Sequence, residues 1–324
     1  MRAIIPVAGF GSRLRPHTFT LPKVLLNVAG KPIIGHILDK IIEAGFDEAT
    51  IVVGHLGEKI REYVQSHYRI KVDFVEQQEP KGLAHAIYQA RATFTDQPVL
   101  IILGDTIFDV NLRSVISESH SAVGVKHVED PRRFGVVEMD GQFATKLVEK
   151  PEHPSSHLAL VGLYWIQKPK LLEQCIGELF QRETKTKGEY QLTDALQLMM
   201  TKGEKIKTFA VDGWYDCGKP ETLLATNRHL LEKGAVPTVL KDVVVIPPVY
   251  VSPKAKVTHS VIGPYATIGD GAVVADSIVR NSIVSEDAQV SKAMLDNSIV
   301  GNNAVAQGMF QRINIGDSSE IDFH

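Results

Sequence analysis

Cysteine is scarce: the 324 residues contain two, Cys175 and Cys217. Two thiols cannot staple a small secreted scaffold, so a reducing, cytoplasmic setting is expected. Long apolar runs are missing as well. No stretch approaches the ~20 residues that would span a bilayer. The apolar opening is broken by Pro6 and Gly9, too early for the core of a signal peptide. Nor is there an excess of positive charge. The 35 Lys and Arg face 38 Asp and Glu, a formal charge of −3, which argues against a general electrostatic binder of nucleic acid. The 12 histidines are scattered, with no HExxH, no His/Cys cluster at metal-ligand spacing and no GxSxG elbow.

What is present is enough chain for about two domains, and a change of character along it. The first part alternates strand and helix. The apolar run Ala3–Val7 ends in a Gly-rich loop. Ile33, Ile34, Ile37, Leu38, Ile41 and Ile42 fall at helical spacing, with Gly45 as C-cap. Strands are predicted at 50–53, 71–76 and 99–103, with helices at 58–65 and 83–92 between them. Such alternation predicts a Rossmann-like α/β fold, its sheet mixed but mostly parallel, with ligands gathered at the carboxyl ends of the strands. After about residue 120 the pattern is less regular. A hairpin is predicted over 134–149 with Asp140-Gly141 at its turn, a strand over 158–166, and helices over 193–201 and 221–231.

Near residue 240 the helical patterns stop. The expected organisation is an α/β domain over 1–232, a linker over 233–248 and a repeat domain over 249–324. From Val249 onward there are five Lys and Arg against eight Asp and Glu, so the whole excess of negative charge lies in the tail. The tail repeats a tetrad: Ser260-Val261-Ile262-Gly263, Ser277-Ile278-Val279-Arg280, Ser282-Ile283-Val284-Ser285 and Ser298-Ile299-Val300-Gly301. Aliphatic positions advance by five or six residues, and three steps return to the same side, as in Ile262 to Val279 to Leu295 or Ile268 to Val284 to Val300. One inward aliphatic per side with polar residues outside is the signature of a hexapeptide-repeat parallel β-helix, expected to be left-handed.

The first loop reads Ala8-Gly9-Phe10-Gly11-Ser12-Arg13-Leu14-Arg15-Pro16, followed by Pro22-Lys23. It is not a P-loop, and Leu14 stands where the dinucleotide fingerprint needs its third glycine. Two glycines after a strand, followed by Arg13, Arg15 and Lys23, nevertheless suit a phosphate chain: the backbone can approach the oxygens and the cations offset their charge.

These residues do not stand alone. Gly9-x-Gly11-Ser12-Arg13-Leu14-x-Pro16 with Pro22-Lys23 resembles the signature of the sugar-1-phosphate nucleotidylyltransferases. Gly82-Leu83-Ala84-His85-Ala86, Leu103-Gly104-Asp105, Phe134-Gly135-Val136-Val137-Glu138, Glu149-Lys150-Pro151, Gly188 to Asp194 and Trp214-Tyr215-Asp216-Cys217-Gly218 follow in that family's order. The hexapeptide tail, ending Ile315-Gly316-Asp317-Ser318-Ser319-Glu320, is similar to the long form of the glucose-1-phosphate thymidylyltransferases. The opening Pro6-Val7-Ala8-Gly9-x-Gly11 is similar to bacterial UDP-glucose pyrophosphorylases, and Phe10 before Gly11 to GDP-mannose pyrophosphorylases.

The resemblance implies roles. Arg13 and Lys23 would hold a nucleoside triphosphate, with Ala8, Gly9, Gly11 and Ser12 along it. Gln77 and Gly82 would face the base. Asp105 and Asp216 would hold Mg²⁺, a hard cation that takes one or two carboxylates plus phosphates. Gly135 and Glu149 would meet the sugar and Lys150 its phosphate. The catalytic set is then Arg13, Lys23, Asp105, Lys150 and Asp216. The implied reaction transfers a nucleotidyl group from dTTP or UTP to a hexose 1-phosphate, glucose 1-phosphate first. The alternatives are a guanylyltransferase of the GDP-mannose type and a non-catalytic regulatory or scaffolding relative. The tail has two histidines, His259 and His324, and neither matches the catalytic histidine of hexapeptide acyltransferases. Its open ends and flat aliphatic faces are expected to join copies of the chain into a homo-oligomer.

Overall fold

The computed structural model describes residues 1–234 and 239–308. The terminal segment Ile315–Glu320 therefore lies outside the described residues. Contacts divide the chain into two compact units, Met1–Leu26 with Lys31–Thr226 and Asn27–Gly30 with Asn227–His324. Asn227 holds the short segment to the second unit: its side-chain oxygen accepts from the Ala29 N–H at 2.8 Å and from the Thr267 hydroxyl at 2.7 Å. No helix of the described residues is long and apolar enough to cross a membrane.

The first unit is built on a nine-stranded sheet in the order Lys71–Glu76, Glu48–Val53, Arg2–Pro6, Val99–Ile102, Leu158–Ile166, Ser121–His127, Ile206–Ala210, Phe143–Glu149 and Gly135–Asp140. The first four strands are parallel. The inner three carry runs of buried, mostly aliphatic residues, such as Ala3, Ile4 and Ile5 at 0% exposure, because helices cover both faces; the edge strand Lys71–Glu76 has no fully buried residue. The helix Ile33–Ala44 ends as its sequence directs. Gly45 adopts φ 97°, its N–H bonds to the Ile42 carbonyl, and the N–H of buried Phe46 bonds to the carbonyl of Ile41, a Schellman ending.

Beyond the fourth strand, the expectation of a mostly parallel sheet does not hold. Leu158–Ile166 runs antiparallel to both its neighbours, and the hairpin Gly135–Asp140/Phe143–Glu149 closes the edge. For the hairpin the reason is local. Parallel neighbours need a crossover, usually a helix, whereas Gly141, at φ 57°, reverses the chain in two residues.

The described part of the second unit is three parallel sheets of four strands each. Their registers align Ile262 with Val279 and Leu295, Ile268 with Val284 and Val300, and Val257 with Val274 and Val290, a stacking consistent with a β-helix. Left-handed residues recur in columns at the corners of the coils. His259, Asp276 and Lys292 form one column, Tyr265, Asn281 and Asn297 the next, and Gly271, Asp287 and Asn303 the third. The serine that opens each tetrad has a structural task. Ser277 Oγ donates to the Ala275 carbonyl at 2.7 Å and accepts the N–H of Ala293, one coil on, at 3.1 Å. Ser260 and Ser282 repeat the pattern toward Ser277 and Ser298.

Candidate active site

The site grows from the carboxyl ends of the parallel strands. After Arg2–Pro6 the Val7 N–H still bonds to the Val52 carbonyl, and the chain then leaves the sheet as the glycine loop. Gly11 sits at φ 62°, and a Cβ there would lie 3.0 Å from the Cβ of Lys23. The loop is fixed at that point by the Thr18 hydroxyl, which donates to the Gly11 carbonyl at 2.9 Å, and by buried Leu14. Gly9, Ser12 and Arg13 remain exposed.

Two carboxylates are brought together by backbone pairing. The strand Val99–Ile102 runs into Leu103, Gly104 and Asp105. Gly104 has no substitute here, since a Cβ would come within 2.2 Å of Val7 Cγ1. A two-stranded ribbon, Thr106–Asp109 with Gly213–Asp216, sets Thr106 opposite Asp216, and the Cys217 N–H bonds to the Asp105 carbonyl at 2.9 Å. Lys23 Nζ, on a side chain only 10% exposed, donates to Asp105 Oδ2 at 2.8 Å.

Burial alone would raise the Asp105 pKa, but the charge and hydrogen bond of Lys23, with the Thr106 hydroxyl, hold it below the usual carboxylate range. Asp216 is pushed the other way. Burial raises it and Asp105 adds to the rise, against Lys23 and Arg13. Arg13 lies beside it: a Cβ on Gly218 would be 2.8 Å from Asp216 Oδ1 and 3.0 Å from Arg13 Nη2. The neighbouring Cys217 is buried. Burial pushes its thiol up to about 12.

This donor set fits a magnesium ion shared with a substrate. Asp105 and Asp216 are hard oxygen donors whose mutual repulsion a cation would relieve. Among the described residues no group of three or more His, Cys, Asp or Glu could hold a metal. A cation bound here would draw its other ligands from water and phosphate.

A second cluster forms where the hairpin ends. Glu149 Oε2 accepts the Thr193 hydroxyl at 2.7 Å, and Lys150 Nζ lies 3.3 Å from Oε1. A Cβ on Gly135 would come within 2.8 Å of Leu160 and 3.0 Å of Glu149 Oε2. Glycine at 135 therefore leaves room above a fixed carboxylate. Lys150 takes φ 43°, with its N–H on the Phe134 carbonyl at 3.0 Å.

Both clusters open into one cleft of about 1230 Å³, lined by Arg13, Asp105, Gly135, Glu149, Lys150 and Asp216 among others. Lys23 reaches it through Asp105. Ala8, Gly9, Gly11, Ser12, Gln77 and Gly82 are not in that lining. Ala8 lies at the end of the first strand, where a Cβ on Gly54 would meet its carbonyl at 2.6 Å. Gln77 follows the strand Lys71–Glu76 and donates to the Gly82 carbonyl at 3.2 Å. Gly82, at φ 110°, is packed against Tyr190, whose carbonyl a Cβ would meet at 2.5 Å.

Sequence reasoning missed several residues of the lining. Arg132, Arg133, Lys187 and Lys219 bring further positive charge, and Thr193 fixes Glu149. Phe134 and Trp214 form part of the wall, edge to face at 4.8 Å. Arg132 and Arg133 immediately precede the Phe134-Gly135 motif, and that adjacency was the available signal.

The sequence model of the family described as nucleotidyl transferase matches residues 2–233. The chain belongs to that family. A glucose-1-phosphate thymidylyltransferase of Streptomyces griseus is 31% identical over 94% of this nucleotidyl transferase and 92% of its own length. The UTP–glucose-1-phosphate uridylyltransferase AglF of Haloferax volcanii is 34% identical over 72% of this chain and 98% of its own. The crystal structure of a UDP-glucose pyrophosphorylase complexed with UDP-glucose matches with a TM-score of 0.63 and 26% identity, covering 72% of this chain and 99% of that one.

Proposed function

We propose that this nucleotidyl transferase joins the nucleotidyl group of dTTP or UTP to a hexose 1-phosphate, glucose 1-phosphate first, and releases pyrophosphate. One observation carries the reading. The Lys23–Asp105 pair with Arg13 and Asp216 opens into the same cleft as Glu149, Lys150 and Gly135. That is a cation-rich place for phosphates beside a fixed carboxylate that can accept bonds from sugar hydroxyls. The two relatives named above carry glucose 1-phosphate in both names and differ in the pyrimidine, which supports the pyrimidine choice.

In this reading an oxygen of the sugar phosphate attacks the α-phosphorus of the nucleotide. The bond from that phosphorus to the bridging oxygen breaks, and pyrophosphate leaves with the electron pair. The attacking group is already an anion, so no side chain has to remove a proton. Lys23 and Arg13 hold the triphosphate along Ala8, Gly9, Gly11 and Ser12; Lys150 holds the sugar phosphate; Glu149 and Gly135 orient the ring; Gln77 and Gly82 face the base. Their contribution is position and charge. Asp105 and Asp216 would hold Mg²⁺, which, when bound, neutralises charge on the phosphates.

Catalysis is assigned to residues 1–232, joined by a linker over 233–248 to the repeat domain, 249–324. The five- and six-residue steps of the repeat support a left-handed hexapeptide coil, and its role is to join copies of the chain, in the cytoplasm. The test of the activity is a panel of dTTP, UTP, GTP and ATP against glucose 1-phosphate and mannose 1-phosphate, read by pyrophosphate release. Turnover with a pyrimidine nucleotide and glucose 1-phosphate is expected. Turnover confined to GTP and mannose 1-phosphate, or none at all, would overturn the assignment.

A further inference from the structure

Gln191 forms part of the cleft wall, yet it is only 6% exposed. Its amide nitrogen donates to the Thr186 carbonyl at 3.3 Å and to Glu189 Oε2 at 3.4 Å. Both partners only accept, so the nitrogen end of the amide faces them. The turn that carries them is itself fixed: Thr186 and Glu189 exchange backbone hydrogen bonds at 3.0 and 3.2 Å. The oxygen end is therefore turned the other way. It makes no capping bond to the helix Leu192–Thr201, which Gln191 precedes. Among the described residues, the fully buried side-chain oxygens left without a partner are Asn27 Oδ1 and Asp194 Oδ2. The Gln191 oxygen is not one of these, and the space it reaches is the cleft.

An accepting oxygen in this place selects its partner by chemistry. Ionised phosphate oxygens only accept, so neither substrate's phosphates can pair with it. The lysines that follow Glu149 and Thr186 are engaged elsewhere. Lys150 Nζ lies 3.3 Å from Glu149 Oε1, and Lys187 Nζ lies 3.3 Å from Glu152 Oε1. A sugar hydroxyl can donate. Two residues on from Gln191, the Thr193 hydroxyl holds Glu149, the carboxylate assigned above to the hexose. We propose that Gln191 is a specificity-determining residue whose amide oxygen accepts a hydrogen bond from one hydroxyl of the hexose. The proposal rests on the reading above that the cleft takes a hexose 1-phosphate. The terminal torsion of a glutamine is soft. The Thr186–Glu189 turn fixes it before the sugar arrives, so little order has to be lost on binding. A sugar without that hydroxyl leaves the oxygen desolvated and unpaired.

The test uses the full chain and compares kcat/KM, by pyrophosphate release, for glucose 1-phosphate against its 2-, 3-, 4- and 6-deoxy analogues. Each analogue removes one hydroxyl and keeps the phosphate and the nucleotide the same. Gln191→Leu removes the acceptor. Wild type is expected to prefer glucose 1-phosphate to the analogue that lacks the partner hydroxyl, and Gln191→Leu to reduce that one preference about tenfold while the others hold. A merely structural role, such as fastening the turn, would slow all the sugars alike and leave every ratio unchanged. Should Gln191→Leu fail to fold, Gln191→Met keeps the unbranched length and carries the same comparison. If wild type turns over glucose 1-phosphate and every ratio is unchanged in the variant, the role of Gln191 is overturned and the hexose reading stands. If wild type turns over no hexose 1-phosphate, both fall.

Discussion

Lys23 and Asp105 form one ion pair to which the proposed function gives a part in both fold and chemistry. Lys23 is nearly buried, and its stem packs under Gly11, so its ammonium is held in place before any phosphate arrives. Lys23→Met should keep most of that packing, lose the charge, and lower kcat by about 10²–10³-fold. Steady-state pyrophosphate release measures this, and a near-normal kcat would remove Lys23 from the reaction. Asp216 makes the opposite trade. Burial and Asp105 hold its pKa above the ordinary carboxylate value of 3.8. Its folded-state pKa thus exceeds that of the unfolded chain, and the ionised group costs stability as pH rises above 3.8. Asp216→Asn should therefore raise the Tm at neutral pH in the absence of nucleotide and metal, while abolishing turnover. The gain should shrink as pH falls toward 3.8 and vanish below it, where the carboxyl becomes protonated in both states. Thermal melts of both proteins across that range check it. A Tm below wild type at neutral pH would mean that Asp216 stabilises the fold instead.

At the scale of elements, much of the structure was legible because the signal was local. The helix Ile33–Ala44 has its aliphatic stripe and its Gly45 stop within one segment. The coils of the second unit place one aliphatic per side at a nearly fixed step, so the sequence alone aligns Ile262, Val279 and Leu295. The helix Pro169–Gln181, absent from the sequence reading, carries a comparable stripe of buried Leu172, Cys175, Ile176 and Leu179 behind a proline in its first turn. The ribbon Thr106–Asp109/Gly213–Asp216 is different. Its pairing joins distant segments of four residues each, and short strands with no period cannot announce a partner. Asp105 and Asp216 could be paired from motif order, but the means that brings them together could not. The tetrad serines likewise form a visible sequence pattern, but their hydrogen bonds from one coil to the next are set by the fold. Ser277→Ala would strand the N–H of Ala293 inside the coil, at a cost of about 1–3 kcal/mol. The chain should unfold at lower denaturant, and amide exchange at Ala293 should quicken. Unchanged exchange there would show that the ladder does not depend on the hydroxyl.

At the scale of the whole molecule, the two units differ in what they do with surface. The cleft gathers cations around carboxylates, whereas the repeat unit leaves aliphatic side chains outside. Val244, Val261, Ile278 and Met294 are register partners on successive coils of one sheet. Val244 is 59% and Met294 72% exposed, while Ile262 and Val279, the residues that follow Val261 and Ile278, are fully buried. A four-rung apolar stripe on a flat parallel sheet is a poor surface to leave in water. A second copy offers the same stripe in the same spacing, so a symmetric contact can cover it without new chemistry. The ion pair Arg280–Asp296, at 3.0 Å on the same strands, already satisfies its own charges and leaves no single-sign field to repel a copy. The double variant Val244→Asp with Met294→Asp would face carboxylate against carboxylate across that contact, at exposed positions where the coil itself loses little packing. Light scattering should then report the mass of one chain where wild type gives a multiple, with the circular dichroism unchanged. Equal masses for the two proteins would show that this stripe joins no copies of the chain.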